Sequence, residues 1–242
     1  MKRRASGRVV VVSGASTGVG RALAVTFAEN GDVVLLLSRN RKRLLGVRSR
    51  IGRGGGRSAI YACDVRSARS VGATAKRILQ RFGRVDILIN NAGVTYFKSV
   101  ERTSIKEFDE VVETNLRGAF LLTKAFLPAM LRRRRGTILT VVSHAAKAIY
   151  TWSGAYTASK RGVEGLMNVL RAETRDRGLR VVNIYPGAVL TSIWQKRHRT
   201  RYGHRMLTPE QVAHAVYLLT VQPDSMMTEE IVLRPQRGDV KV

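Results

Sequence analysis

Tyr156 and Lys160 stand four residues apart in Gly154-Ala155-Tyr156-Thr157-Ala158-Ser159-Lys160, a spacing that puts both side chains on one face of a helix. A phenol with an ordinary pKa of about 10 exchanges protons poorly at neutral pH. An ammonium beside it favours the phenolate and suits it to general acid/base work. Ser143 follows the apolar run 137–142, where its hydroxyl can hydrogen-bond an oxygen on which charge develops. Each feature alone has a plain alternative: a Tyr/Lys pair on a solvated helix, and a serine that merely ends a strand.

A second group lies near the start. Directly after the apolar run 9–12 comes Ser13-Gly14-Ala15-Ser16-Thr17-Gly18-Val19-Gly20, followed by a segment of helical period. Glycines in such a turn let backbone N–H groups and a helix N-terminus approach a pyrophosphate. The spacing is G-x-x-x-G-x-G, and the order strand, glycines, helix carries more weight than the glycines do. The run 33–37 then ends at Ser38-Arg39-Asn40. A carboxylate there would accept ribose hydroxyls and repel a 2′-phosphate. Ser38 leaves room instead, and the Arg39 guanidinium matches phosphate through forked, charge-assisted hydrogen bonds. The expected cofactor is NADP(H) rather than NAD(H), and hydride delivered to a carbonyl requires a proton for its oxygen, which Tyr156 would supply.

These groups need a scaffold. Short apolar runs at 9–12, 33–37, 59–62, 86–89, 137–142, 181–185 and 231–233 alternate with segments of helical period near 19–29, 41–51, 67–82, 104–133 and 155–177. Runs of this kind are strands covered on both faces. A last helix is signposted by Thr208 as N-cap, Pro209 at its first position and Gln211 completing a capping box. The expected fold is α/β: a Rossmann-type doubly wound parallel sheet of about seven strands with helices on both faces. One domain is expected over 1–242, with a substrate loop at about 187–208.

Apolar residues make up 44% of the 242 residues, enough to fill a core. The single cysteine, Cys63, excludes an internal disulfide and fits a reducing compartment. No apolar run is long enough to span a membrane, and the basic start, Met1 to Arg4, precedes an apolar run too short for a secretory signal. A cytoplasmic location is expected, and no histidine/cysteine spacing suggests a metal site. The net charge of +26 is unusual, with 33 arginines and 10 lysines and local runs at 39–43, 132–135 and 196–205. Such charge can recruit nucleic acid or acidic proteins. Without a reading motif or stacking aromatics, a mostly solvated surface is favoured over that partner.

Taken together, Gly14-x-x-x-Gly18-x-Gly20, Asp64-Val65, Asn90-Asn91-Ala92-Gly93, Asn115, Ser143, Tyr156-x-x-x-Lys160 and Pro186-Gly187 resemble the short-chain dehydrogenase/reductase family over nearly the whole chain. The resemblance implies hydride transfer between a nicotinamide and a carbonyl or secondary alcohol, with Tyr156 as general acid/base and Asn115, Ser143 and Lys160 completing a tetrad. It implies that Asp64 and Val65 sit near the adenine, and that Asn91, Ala92 and Gly93 line the cofactor. Pro186, Gly187, Val189 and Thr191 would hold the carboxamide side, and Asn115 would hold a water in a proton relay beyond Lys160. It also implies a homodimer or homotetramer formed through two long helices, and a loop after Pro186 that acts as a mobile lid, here basic at Lys196, Arg197 and Arg199. Two departures stand out. Thr17 replaces a basic residue common in NADP-preferring relatives, and the ending 229–236 looks more like members acting on small hydroxy acids, sepiapterin-like ketones or assorted carbonyls. Substrate choice is expected from 94–99, 144–155 and the loop after Pro186, with Ala145, Ala146, Ile149, Tyr150 and Trp152 as a partly aromatic wall and His144 beside it. The competing reading is a catalytically degenerate member that binds cofactor or associates with nucleic acid or acidic protein; the intact tetrad argues against it.

Overall fold

The computed structural model describes residues 7–238, so the basic start, Met1 to Arg4, lies outside the described residues. Seven strands form one parallel sheet: β1 (Val9–Ser13), β2 (Val33–Ser38), β3 (Arg57–Ala62), β4 (Ile87–Asn90), β5 (Gly136–Val141), β6 (Leu179–Pro186) and β7 (Glu230–Leu233). Their order is β3-β2-β1-β4-β5-β6-β7, and every neighbouring pair is parallel.

Alternation along the strands decides which face each residue feeds. Val9 and Val11 enter one core with residues of α3 (Ala68–Phe82), α5 (Gly118–Arg132) and α6 (Gly154–Thr174). Val10 and Val12 enter the other, against α1 (Gly18–Glu29), α2 (Arg41–Arg53) and α8 (Pro209–Leu219). Val10, Val11 and Val12 are fully buried, and each such side chain contributes about 1.5–3 kcal/mol. The capping box of α8 forms as expected: Gln211 N donates to Thr208 Oγ1 at 3.2 Å, and Thr208 N to Gln211 Oε1 at 2.8 Å.

The structure differs from the expected elements in three places. The helix expected over 104–133 is α4 (Ile105–Val112) and α5, joined without a break by a π-helical stretch, Glu113–Arg117, that carries Asn115. The expected loop at 187–208 contains a helix, α7 (Lys196–Tyr202), and its base is fastened where Leu190 N donates to Leu207 O and Leu207 N to Ala188 O. β5 stops at Val141, so Ser143 lies two residues beyond it in extended backbone, at the head of a short 3-10 turn.

Strand order reverses between β1 and β4, and the crevice at the C-terminal ends of these strands is where such sheets bind ligands. No described helix is long and apolar enough to cross a membrane, and no three His, Cys, Asp or Glu residues among the described residues group as metal ligands.

Candidate active site

One cavity of about 1110 Å³ lies along this edge of the sheet. It gathers the residues that follow successive strands: Gly14, Ser16, Thr17, Gly18, Val19 and Gly20 after β1; Ser38 and Arg39 at the end of β2; Asp64 and Val65 after β3; Asn91, Ala92 and Gly93 after β4. Ser143 joins from beyond β5, Tyr156 and Lys160 from the first turns of α6, and Pro186, Gly187, Val189 and Thr191 from the end of β6 onward. Of the candidate catalytic and cofactor-binding residues, Asn115 alone lies outside this lining.

The glycine loop is packed too tightly for side chains. A Cβ on Gly20 would lie 2.3 Å from Gly14 O, and one on Gly14 would lie 2.9 Å from Ala92 Cα. Asn91 Nδ2 donates to Ser13 O at 2.9 Å, and Ser13 Oγ accepts from the backbone N–H groups of Asn91 and Ala92 at 3.0 and 3.1 Å. The start of α1 receives no side-chain cap from Thr17 and holds no acid in its first turn, leaving its N–H groups for an anion. Ser38 Oγ donates to Ser16 Oγ at 3.1 Å, which joins the turn expected at the pyrophosphate to the strand end expected at the ribose. Arg39 and Arg43 border the same end. Asp64 is held by Arg66, whose Nη2 donates to Oδ2 at 2.8 Å and Nε to Oδ1 at 3.1 Å, and this pairing keeps its carboxyl below the usual range. An uncapped helix start, a turn closely packed at Gly14 and Gly20 and cations at one end fit a phosphorylated dinucleotide.

At the inner end, burial pushes the Tyr156 hydroxyl up, an effect its hydrogen bond with Ser143 partly offsets. Lys160 Nζ lies 5.6 Å from the Tyr156 ring centroid and donates to Val141 O at 2.8 Å. Burial pulls its ammonium down to about 8. Burial is thus the larger influence on the phenol, raising it from its ordinary value.

Asn115 sits behind this pair. Its Oδ1 accepts from Val94 N at 2.8 Å, and its Nδ2 donates to Val94 O and Ser159 Oγ, each at 3.0 Å. It thus ties the segment after β4 to the helix that carries Tyr156 and Lys160. A second cavity of about 10 Å³ borders both Asn115 and Lys160, a size suited to about one water.

The expected substrate wall is brought together in part. Ala145, Ile149, Tyr150, Trp152 and His144 line the cavity, whereas Ala146 is buried in the core instead. Of the cations in the expected lid, Arg197 borders the cavity and Lys196 and Arg199 do not. Helical spacing explains this, because neighbours of Arg197 on α7 point around the helix. Thr95, Phe97 and His198 were not individually foreseen as lining residues; no local pattern marks them, since their meeting depends on the packing of two distant loops.

Residues 8–201 match the family model for short chain dehydrogenase, and the chain belongs to this oxidoreductase family. It is 34% identical over 233 residues to D-threitol dehydrogenase of Mycolicibacterium smegmatis, covering 93% of this chain and 90% of that one. It is 32% identical over 240 residues to sepiapterin reductase of Chlorobaculum tepidum, covering 96% and 98%. A solved metagenomic short-chain oxidoreductase in complex with NADP is 35% identical, with a TM-score of 0.85 over 96% of this chain and 98% of that chain.

Proposed function

We propose that this protein is an NADP(H)-dependent oxidoreductase acting between a carbonyl and a secondary alcohol, with Tyr156 as general acid/base. The observation that carries the reading is the convergence of Tyr156, Ser143 and Lys160 on the same cavity that the Gly14–Gly20 turn enters. When bound, the nicotinamide supplies hydride to the carbonyl carbon, or accepts it from the alcohol.

In reduction, Tyr156 donates its proton to the carbonyl oxygen as the carbon gains hydride, and an alcohol results. Ser143 hydrogen-bonds the same oxygen and steadies the charge developing there. Lys160, protonated, stabilises the phenolate left behind. Asn115 and the small cavity beside Lys160 suit a water-borne route for returning the proton. Gly14, Ser16, Thr17, Gly18, Val19 and Gly20 would hold the pyrophosphate side, with Asp64, Val65, Asn91, Ala92 and Gly93 along the adenosine and ribose. Pro186, Gly187, Val189 and Thr191 would hold the carboxamide. Ser38 and Arg39 support NADP(H) over NAD(H), as does the NADP bound to the solved relative.

The proposal takes the chain as one domain over 1–242 with its substrate loop at about 187–208. It takes the assembly as a homodimer or homotetramer, because Phe108, Phe120 and Val169 expose large apolar side chains on α4, α5 and α6. The test is NADPH consumption by the purified protein with a panel of aldehydes and ketones. Tyr156→Phe keeps the ring and removes the transferable proton, so turnover should fall by about 10²–10⁴ while dinucleotide binding survives. A variant within tenfold of the parent refutes the role of Tyr156; binding without turnover in the parent favours the degenerate reading.

A further inference from the structure

The cavity beyond Tyr156 is walled by rings. Both tryptophans of the chain, Trp152 and Trp194, line it with Phe97, Tyr150, His144 and His198. Aromatics are only 6% of the sequence, so this concentration is local. Phe97 and Trp194 stack with centroids 5.1 Å apart and planes 19° apart, joining the loop after β4 to the loop after β6. His198 meets Trp194 edge-on at 6.3 Å, and His144 Nδ1 lies 2.7 Å from the Tyr150 hydroxyl.

Filling the core does not explain these rings. Trp152 is 54% exposed and Ile149 is 89% exposed, and both border the cavity. Trp152 is also held at φ 64°, a left-handed conformation that a bulky residue adopts only when its surroundings enforce it. Two polar atoms among the cavity's residues are buried with no partner in the protein, Thr95 Oγ1 and His198 Nδ1. Buried polar atoms are nearly always hydrogen-bonded, so a ligand with its own polar edge is the natural complement.

We infer that the substrate is a flat aromatic carbonyl compound whose ring carries a hydroxyl or ring nitrogen, bound among these rings with its polar edge toward Thr95 and His198. The inference rests on the reductase reading for the fate of the carbonyl, but not for the recognition of the ring. The rings supply offset or edge contacts with a planar body. Thr95 Oγ1 can donate or accept, and His198 Nδ1 does either according to tautomer.

The experiment compares three aldehydes that share the reacting group: 4-hydroxybenzaldehyde, benzaldehyde and cyclohexanecarbaldehyde. In Trp194→Leu, the kcat/KM ratio of benzaldehyde to cyclohexanecarbaldehyde should fall about tenfold, as expected for loss of an aromatic contact. In Thr95→Val, which keeps the shape, the ratio of 4-hydroxybenzaldehyde to benzaldehyde should fall about tenfold for a lost buried hydrogen bond. Ratios unchanged in both variants overturn the inference. Calorimetry on the cofactor-free parent, with 4-hydroxybenzyl alcohol and cyclohexylmethanol, separates the two readings. If neither these aldehydes nor the ketones of the wider panel are consumed, the reductase reading fails, and tighter binding of the aromatic alcohol still supports the slot. Equal binding of the two alcohols sinks it.

Discussion

Replacing Lys160 with methionine should stabilise the folded chain at neutral pH while destroying activity, and the sign should reverse in alkali. Lys160 is 4% exposed, and burial lowers its pKa from the ordinary 10.5 to about 8. Its folded value is depressed, so the unfolded chain binds the extra proton between about pH 8 and 10.5. Stability therefore rises with pH through that window. Below pH 8 the folded state carries the whole cost of the buried ammonium, about 3 kcal/mol at roughly 1.4 kcal/mol per pKa unit.

Methionine removes that cost but also removes the hydrogen bond to Val141 O, 2.8 Å long. An unpaired buried carbonyl costs about 1–3 kcal/mol. The difference leaves a net gain of about 1 kcal/mol at pH 7, or a melting temperature raised by about 2–4 °C for a domain of this size. Near pH 11 the ammonium is neutral in both states of the parent, so only the lost hydrogen bond remains and the variant should melt lower. The assay is thermal unfolding of cofactor-free parent and variant at both pH values, followed by circular dichroism. A variant less stable by the same margin at both would refute the buried-charge reasoning.

Other consequences are simpler to state. Ser38→Asp combined with Arg39→Gln should shift the NADPH to NADH ratio in kcat/KM toward NADH by about 10–100-fold, through repulsion and a lost charge-assisted bond; an unchanged ratio means the phosphate is bound elsewhere. Arg197→Gln should lower kcat/KM for an anionic ketone more than for its neutral analogue, by about three- to tenfold, and the gap should close in high salt; equal losses leave Arg197 as a surface cation. Fourteen basic residues and a single acid, Asp64, lie between 39 and 84, the stretch that forms α2, β3 and α3 beside Arg39 and Arg43. The KM for NADPH should therefore rise with salt while that for a neutral ketone stays level, and gel shifts with duplex DNA should show no retention near physiological salt.

The sheet was legible because burial on both faces writes itself as continuous apolar runs, of which 9–12 and 33–37 are the clearest. The cofactor side was legible for a related reason. A turn in which a Cβ at position 20 would lie 2.3 Å from Gly14 O admits only glycine, so the geometry leaves its mark on the residue type. The π-helical stretch at 113–117 was not legible, because its residues carry no signal distinct from an ordinary helix; what ties it to the segment after β4 is the hydrogen bond that Val94 N donates to Asn115 Oδ1, twenty-one residues away. Helix α7 was hidden by its composition. Lys196–Tyr202 buries no residue, so it lacks the apolar stripe from which helices are recognised.

The two ends of the cavity differ in how their polar groups are settled, and this difference bears on which end sets specificity. On the cofactor side the protein's own bonds already fix the frame: Asn91 to Ser13, Ser38 to Ser16, Arg66 to Asp64. A frame made this way is preorganised, so a ligand that fits it loses little in ordering it. On the substrate side Thr95 Oγ1 and His198 Nδ1 have no protein partner, while Trp152 and Ile149 stay exposed. A ligand that lacks matching polar atoms leaves these groups unsatisfied, at about 1–3 kcal/mol each. Discrimination by such groups is far steeper than an apolar pocket achieves through size alone. Substrate choice in this chain should therefore follow the pattern of donors and acceptors on the ring more closely than the bulk around the carbonyl.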